Sequence, residues 1–110
     1  MNVNPDLLKP FVKVSIRDLV LNRVKSMQMV WIQGNILKIN NDGDVELNDA
    51  DDSVMINSCP NIQNLTCGKY YQVLGYYEEK RKVRAVKVVE VESQILQEMW
   101  PLEVQEMGTI

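Results

Sequence analysis

Five short strand-like stretches between residues 30 and 91, separated by polar turns, constrain the fold of this chain more than any other feature. In the first stretch, apolar residues recur at every second position from Val30 to Ile36, which is the period of a half-buried strand. Gly34 lies inside this stretch, and a glycine within a strand indicates a sharp bend. The run Asn41–Asp44, with Gly43 at its third position, is a strong hairpin signal. The first strand of a small closed barrel must bend in this way, because it pairs with both halves of the barrel.

The later stretches complete the pattern. Further strands are expected to start at Val45 and Val54, to cover 68–77 on a face that alternates from Tyr71 to Tyr77, and to cover 83–91. The last of these is apolar on both faces, so its outer face needs a cover from a helix or a partner. Ser15 fits the N-cap of a short helix ahead of the strands. The sequence therefore predicts a mainly β chain with a single five-stranded barrel of the oligonucleotide/oligosaccharide-binding (OB) fold, flanked by a short N-terminal helix and a C-terminal helix.

Beyond the fifth strand the spacing of apolar residues becomes helical. Ser93 fits an N-cap, and the apolar residues that follow it recur at intervals of three and four. Pro101 has no backbone N–H, so we expect it to kink or end the first helical segment. The predicted organisation is a mobile lead-in at residues 1–10, the barrel at 11–92, and an interaction helix and tail at 93–110.

Composition limits the chemistry that this chain can carry out. Its 110 residues suffice for one domain. The chain has no histidine, which removes the commonest general base and the commonest catalytic zinc ligand, and two cysteines alone cannot complete a tetrahedral metal site. We therefore expect no enzymatic activity, no cofactor and no metal. No stretch has membrane-spanning length and no secretory leader is visible, so we expect an intracellular protein.

Binding of single-stranded nucleic acid is the alternative interpretation. OB folds hold single strands with stacked aromatic side chains and a basic groove. The candidate residues for this role are Trp31, Tyr76, Lys80, Arg81 and Lys82. The net charge is −3, and carboxylates crowd the same region, at Glu78, Glu79, Asp42, Asp44, Asp49, Asp51 and Asp52. Phosphate neutralisation dominates such affinity, so this charge pattern disfavours strong binding.

The C-terminal helix indicates a protein partner instead. It carries more apolar surface than the barrel needs, at Leu96, Met99, Trp100, Leu102, Val104 and Met107. Tryptophan and methionine are enriched in the cores of interfaces. Lys87, between apolar neighbours in the fifth strand, is either a solvated residue or the partner of an acidic group across an interface. The competing interpretation is that Leu96, Met99 and Trp100 only cap the barrel of their own chain.

The same residues resemble a known family. The motifs, in order, are Val30-Trp31-Ile32-Gln33-Gly34, Gly68-Lys69-Tyr70, Ala85-Val86-Lys87, and Glu98-Met99-Trp100 with Leu102-Glu103-Val104. Together they resemble the RecQ-mediated genome instability protein 2 family from about Val12 to Met107. Pro101 departs from the acidic residue expected after the tryptophan, and the region from Ser58 to Cys67 matches poorly.

The resemblance implies a non-catalytic nuclear subunit that acts in DNA repair. Such a subunit pairs with the C-terminal OB domain of RecQ-mediated genome instability protein 1. The pair joins topoisomerase III alpha and a Bloom-type RecQ helicase in the complex that dissolves double Holliday junctions. The resemblance also implies weak or no direct DNA binding. It places Lys87 and Trp100 at the partner interface, with Met99, Leu102 and Val104 nearby.

Overall fold

Six strands and two α-helices occupy residues 11–107, the part of the chain that the computed structural model describes. The strands are β1 Val12–Lys13, β2 Met29–Ile39, β3 Val45–Asp49, β4 Asp52–Asn57, β5 Tyr70–Tyr77 and β6 Lys82–Glu90. The helices are α1 Ile16–Val20 and α2 Gln94–Met107, and a 3-10 helix spans Ile62–Asn64. The predicted lead-in at residues 1–10 lies outside the described residues.

The barrel closes through the long strand β2. Residues 29–35 of β2 pair with β5, and residues 35–39 pair with β3. β6 joins the two halves, because it pairs antiparallel with β5 and parallel with β4. Gly34 lies where β2 changes partners, and a Cβ there would lie 2.5 Å from the carbonyl oxygen of Asn48. The predicted five-stranded OB barrel is confirmed, and the glycine allows the two strands to approach at the bend.

The core follows the predicted alternation and is closed at one end by α1. Tyr71 and Val73 are buried on β5, and Ile16 and Leu19 of α1 are fully buried. The predicted cap of α1 is present, because Ser15 Oγ accepts from the Asp18 N–H at 3.1 Å and the Ser15 N–H donates to Asp18 Oδ2 at 3.0 Å. This reciprocal capping box fixes the start of the helix that fills the barrel end.

Two β-bulges change which residues face the core. On β2 the pairing with β3 shifts between Ile36 and Lys38, so Leu37 is the extra residue, and it is exposed. On β6 the partners of Gly75 and Leu74 are Ala85 and Lys87, so Val86 is the extra residue and is 51% exposed. After this bulge Val88 packs against the core. The two-sided apolar pattern of the fifth strand therefore reflects a change of phase within it.

Helix α2 runs without a break from Gln94 to Met107. Of the two expected outcomes at Pro101, the end of a helical segment is therefore wrong, and a kink stays a prediction. Pro101 has no N–H to donate to the Gln97 carbonyl and its ring crowds that oxygen, so the helix continues with one hydrogen bond missing, and the Pro101 side chain itself is exposed. The predicted cap at Ser93 is confirmed, since its Oγ accepts from the Leu96 N–H at 3.4 Å.

Candidate protein-interaction surface

Helix α2 presents two stripes of side chains on opposite sides. The inner stripe, Gln97, Trp100 and Val104, faces the barrel: Trp100 is only 3% exposed, and the other two are half-buried. The outer stripe, Ile95, Met99 and Leu102, is 68%, 45% and 59% exposed. Both stripes follow the three-to-four spacing of a helix. Within residues 11–107, the inner stripe is the one that packs against the barrel.

Few contacts hold α2 to the barrel. β1 is the strand against which the helix packs. Gln97 Nε2 donates to the Val91 carbonyl at 2.9 Å, and Lys13 Nζ lies 3.0 Å from Glu103 Oε1. Trp100 is buried outside the main core cluster, and its Nε1 has no hydrogen-bond partner within residues 11–107. The helix is therefore an appendage anchored by one tryptophan and two polar contacts.

A groove lies beside α2 on the outer face of β2, β5 and β6. Strand pairing places Trp31 opposite Leu74, and Leu74 opposite Lys87. These residues, with Gln72 and Val89, line a cavity of about 300 Å³. A second cavity of about 300 Å³ shares Trp31, Gln72 and Val89 and reaches Leu96, Trp100 and Glu103 of α2. The groove is therefore continuous from the sheet to the helix.

Of the six predicted partner-binding residues, four are exposed and two face the barrel. Lys87 and Leu96 are exposed along the groove, and Met99 and Leu102 are exposed on the outer stripe. Trp100 and Val104 belong to the inner stripe, so a part played by them in partner binding would be indirect. All six assignments stay predictions.

Sequence reasoning missed several residues of this surface. Ile95 extends the outer stripe, while Leu74 and Val89 line the groove. The helical spacing contained the signal for Ile95. Leu74 needed the register of three strands, because only pairing places it between Trp31 and Lys87. The fifth strand was expected to need a cover, and in this chain α2 leaves Val89 46% exposed.

The opposite face, formed by β3 and β4, is polar. Its outward residues pair across the strands, Glu46 with Met55 and Asn48 with Ser53, and neither strand contains an aromatic residue. At its rim, Glu78 accepts from Asn57 Nδ2 at 3.0 Å and lies 3.8 Å from Arg84. OB folds hold oligonucleotides on the face that corresponds to β3 and β4. On that face here, neither β3 nor β4 provides an aromatic side chain on which a base could stack.

Carboxylates at the turns make this polar face acidic. Burial, followed by the charge of Asp52, raises the pKa of Asp49 above its ordinary value. Burial, followed by the charge of Asp49, raises the pKa of Tyr70 to about 12. Burial is the larger cause of both pKa shifts, and the neighbouring carboxylates that add to them would also repel a phosphate.

The residues of the nucleic-acid alternative do not converge on this face. Trp31 and Tyr76 are half-buried on the outer face of β2 and β5, away from β3 and β4. Lys80, Arg81 and Lys82 are exposed at the connection between β5 and β6. The Lys13 ammonium lies 5.2 Å from the centroid of the Trp31 ring. Tyr76 lies beside the connection between β5 and β6, opposite Arg84, whereas Trp31 lies in a different part of β2, so the two aromatic candidates do not form one platform with the basic residues.

Residues 11–107 show neither a metal site nor a membrane-spanning helix. No group of three or more Asp, Glu, Cys or His side chains there is arranged to hold a metal ion. No helix within 11–107 is long and apolar enough to cross a membrane. Both cysteines are free, with Cys67 exposed and Cys59 half-buried. Burial, followed by the charge of Asp44, raises the pKa of Cys59 to about 11, so this thiol stays protonated at neutral pH.

Comparison with known proteins supports both the fold and a family. The sequence pattern of the family described as RecQ-mediated genome instability protein 2 matches residues 9–108. No curated protein matches the chain in sequence.

Among solved structures, the fold is similar to that of OB proteins from fungi. Telomere capping protein Ten1 from Saccharomyces pombe superposes with a TM-score of 0.76 at 14% identity, over 92% of this chain and 100% of that one. A chain of the S. pombe Stn1–Ten1 complex gives 0.74 at 16% identity, over 88% and 90%. U. maydis replication protein A bound to ssDNA gives 0.64 at 15%, over 88% and 92%. At these identities the likeness concerns the fold alone.

Proposed function

This chain belongs to the RecQ-mediated genome instability protein 2 family, and we propose that it is a non-catalytic nuclear scaffolding subunit. Its partner is the C-terminal OB domain of RecQ-mediated genome instability protein 1. Through that partner it joins topoisomerase III alpha and a RecQ helicase in dissolving double Holliday junctions. Family membership supports this partner. The Stn1–Ten1 complex adds a precedent, because it also joins an OB protein of this shape to another protein.

The exposed outer stripe of α2 is the observation that carries the proposal. Ile95, Met99 and Leu102 stand in water although the helix is already anchored by Trp100. A continuous apolar stripe of this kind is costly to leave exposed and marks interaction sites on soluble proteins. A stable pair normally buries about 1,200 to 2,000 Å² in total. The groove beside the helix extends the apolar surface toward such an area.

Lys87 provides a positive charge at the proposed interface. It is exposed at the edge of the groove, and no carboxylate within the described residues lies within ion-pair distance of its ammonium. We propose that an acidic residue of the partner OB domain pairs with it. Charged pairs at interfaces contribute mainly to specificity and orientation. Trp100 and Val104 act in this scheme by holding the outer stripe in place.

The alternative function, binding of single-stranded nucleic acid by this chain alone, has less support. Replication protein A of the same fold is bound to ssDNA. In the present chain, however, the face of β3 and β4 is acidic at its turns and lacks aromatic residues. The basic residues 80–82 share their connection with Glu78 and Glu79. The carboxylates of such a surface would repel phosphate groups, so it disfavours binding of a polyanion.

Purification with and without the partner tests the proposal. We expect the full chain alone to self-associate in light scattering, because its apolar stripe is uncovered. Mixed with the C-terminal OB domain of RecQ-mediated genome instability protein 1, it should elute as a one-to-one complex with a higher Tm. A clean monomer at high concentration, with no complex and no gain in Tm on mixing, would contradict the proposal.

A further inference from the structure

Within residues 11–107, α2 is attached to the barrel by buried Trp100, by half-buried Val104 and by two polar contacts. Gln97 reaches the Val91 carbonyl near the start of the helix, and Trp100 is buried near its middle. Lys13 of β1 reaches Glu103 in the second half, with 3.0 Å between Nζ and Oε1. Apolar packing has no preferred direction, so Trp100 and Val104 alone still allow the helix to roll about its axis. The contact with Glu103 is the one that opposes this motion.

Lys13 is better placed to hold α2 against the barrel than an ordinary surface lysine. Its side chain is 21% exposed and that of Glu103 is 33% exposed, so the pair is partly shielded from water. The same ammonium lies 5.2 Å from the centroid of the Trp31 ring, within the range of a cation–π interaction. Each contact alone is weak. Together they join β1, the outer face of β2 and the helix through one atom.

We infer that Lys13 is a positioning residue that sets the pose of α2 and so keeps the outer stripe turned toward a partner. Glu103 lies at the edge between the inner and outer stripes of the helix, four residues after Met99. A roll of the helix toward the groove would carry Met99 toward the barrel. A helix already held in its binding pose loses less freedom on association, so Lys13 strengthens partner binding without touching the partner. This inference deepens the proposed function and rests on it for its binding readout.

The first test measures the pose in the chain alone and needs no partner. Cys59 and Cys67 are replaced by serine, and spin labels are placed at Asp51 on the barrel and at Gln105 on the helix, both exposed. We expect Lys13→Met to broaden the distance distribution, and Lys13→Arg, which keeps the charge, to restore a narrow one. Lys25→Met removes an exposed lysine elsewhere and serves as the control. A distribution that is unchanged in Lys13→Met overturns the inference.

The second test measures affinity for the partner OB domain by titration calorimetry. A partly shielded ion pair and a cation–π contact together predict a loss of about fivefold to thirtyfold for Lys13→Met, at an unchanged Tm of the barrel. Lys13→Arg should recover most of it, and Lys25→Met should bind like the wild type. Equal binding by Lys13→Met overturns the inference. Failure of the wild type to bind refutes the proposed function instead, while the distance measurement still decides the role of Lys13.

Discussion

The two outer faces of this barrel differ in what they offer to other molecules. The face of β3 and β4 carries polar residues that pair with one another, such as Asn48 with Ser53, and acidic turns flank it. The face of β2, β5 and β6, extended by α2, carries apolar residues that nothing in the described chain covers, such as Val89 and Leu102. A fold shared by DNA-binding and protein-binding subunits does not reveal its function. The distribution of apolar surface over the two faces does indicate the kind of partner.

The largest expected effect tests whether α2 is an appendage to the apolar face. Trp100→Ala removes the buried anchor, and such truncations typically cost about 3 to 5 kcal/mol. Because Trp100 lies outside the main core, this cost should fall on the attachment of α2. Hydrogen exchange should show that the α2 amides lose protection while those of β2 and β5 keep it. Trp100→Phe should have a smaller effect. Equal loss of protection in barrel and helix would place Trp100 in the main cooperative core.

The next effect concerns the outer stripe. Leu102→Asp puts a charge on the proposed interface, where loss of a central residue costs about 2 to 4 kcal/mol, or roughly 30- to 1,000-fold in affinity. Leu102 is exposed, so the Tm of the chain alone should stay the same. Calorimetry with the partner OB domain measures the loss. Gln105→Asp, on an exposed polar side of the same helix, is the matched control. Unimpaired binding by Leu102→Asp would remove the outer stripe from the interface.

The chain alone should bind single strands weakly, both on its acidic polar face and at the aromatic residues of the other face. Fluorescence anisotropy with a labelled oligonucleotide at physiological salt should show a Kd no tighter than about 10⁻⁶ M. Trp31→Ala and Tyr76→Ala should each change binding by less than the roughly 1 kcal/mol that one stacked base contributes. Nanomolar binding that either substitution abolishes would make this chain a single-strand-binding protein and reverse the comparison of the two faces.

The smallest expected effect is the change in stability when one carboxylate is removed from the turn between β3 and β4. Because the pKa of Asp49 is raised in the folded chain, folding favours its protonated form, and stability is lost as pH rises through that pKa. Asp49→Asn should therefore raise the free energy of unfolding at pH 7 by less than about 1 kcal/mol for a partly exposed group, which thermal melting would show as a slightly higher Tm, and the gain should shrink toward pH 3. Asp51→Asn, in the exposed turn beside it, should leave the Tm unchanged. A lower Tm for Asp49→Asn at pH 7 would contradict this sign.

The barrel could be predicted from the sequence because its signals are local. The alternation along β5, the glycine of the β2 bend and the cap at Ser15 each depend on neighbouring residues. The pose of α2 could not be predicted in this way. Met99 and Trp100 are adjacent and both apolar, so helical spacing did not show that one faces outward and the other inward. The contact of Lys13 with Glu103 joins residues 90 positions apart, and no local pattern contains it.

The bulge at Val86 divides β6 into two halves, and the core-facing side chains are odd-numbered in the first half and even-numbered in the second. Up to Ala85 the odd-numbered side chains point into the barrel, and beyond the bulge the even-numbered Val88 does so. Lys87 and Val89 therefore reach the outer groove only because one additional residue is accommodated between the halves. A substitution scan along β6 should show its sensitive positions switch from odd to even numbers at Val86. Aligned with a strand that lacks the bulge, every residue of this half would be assigned to the wrong side of the sheet.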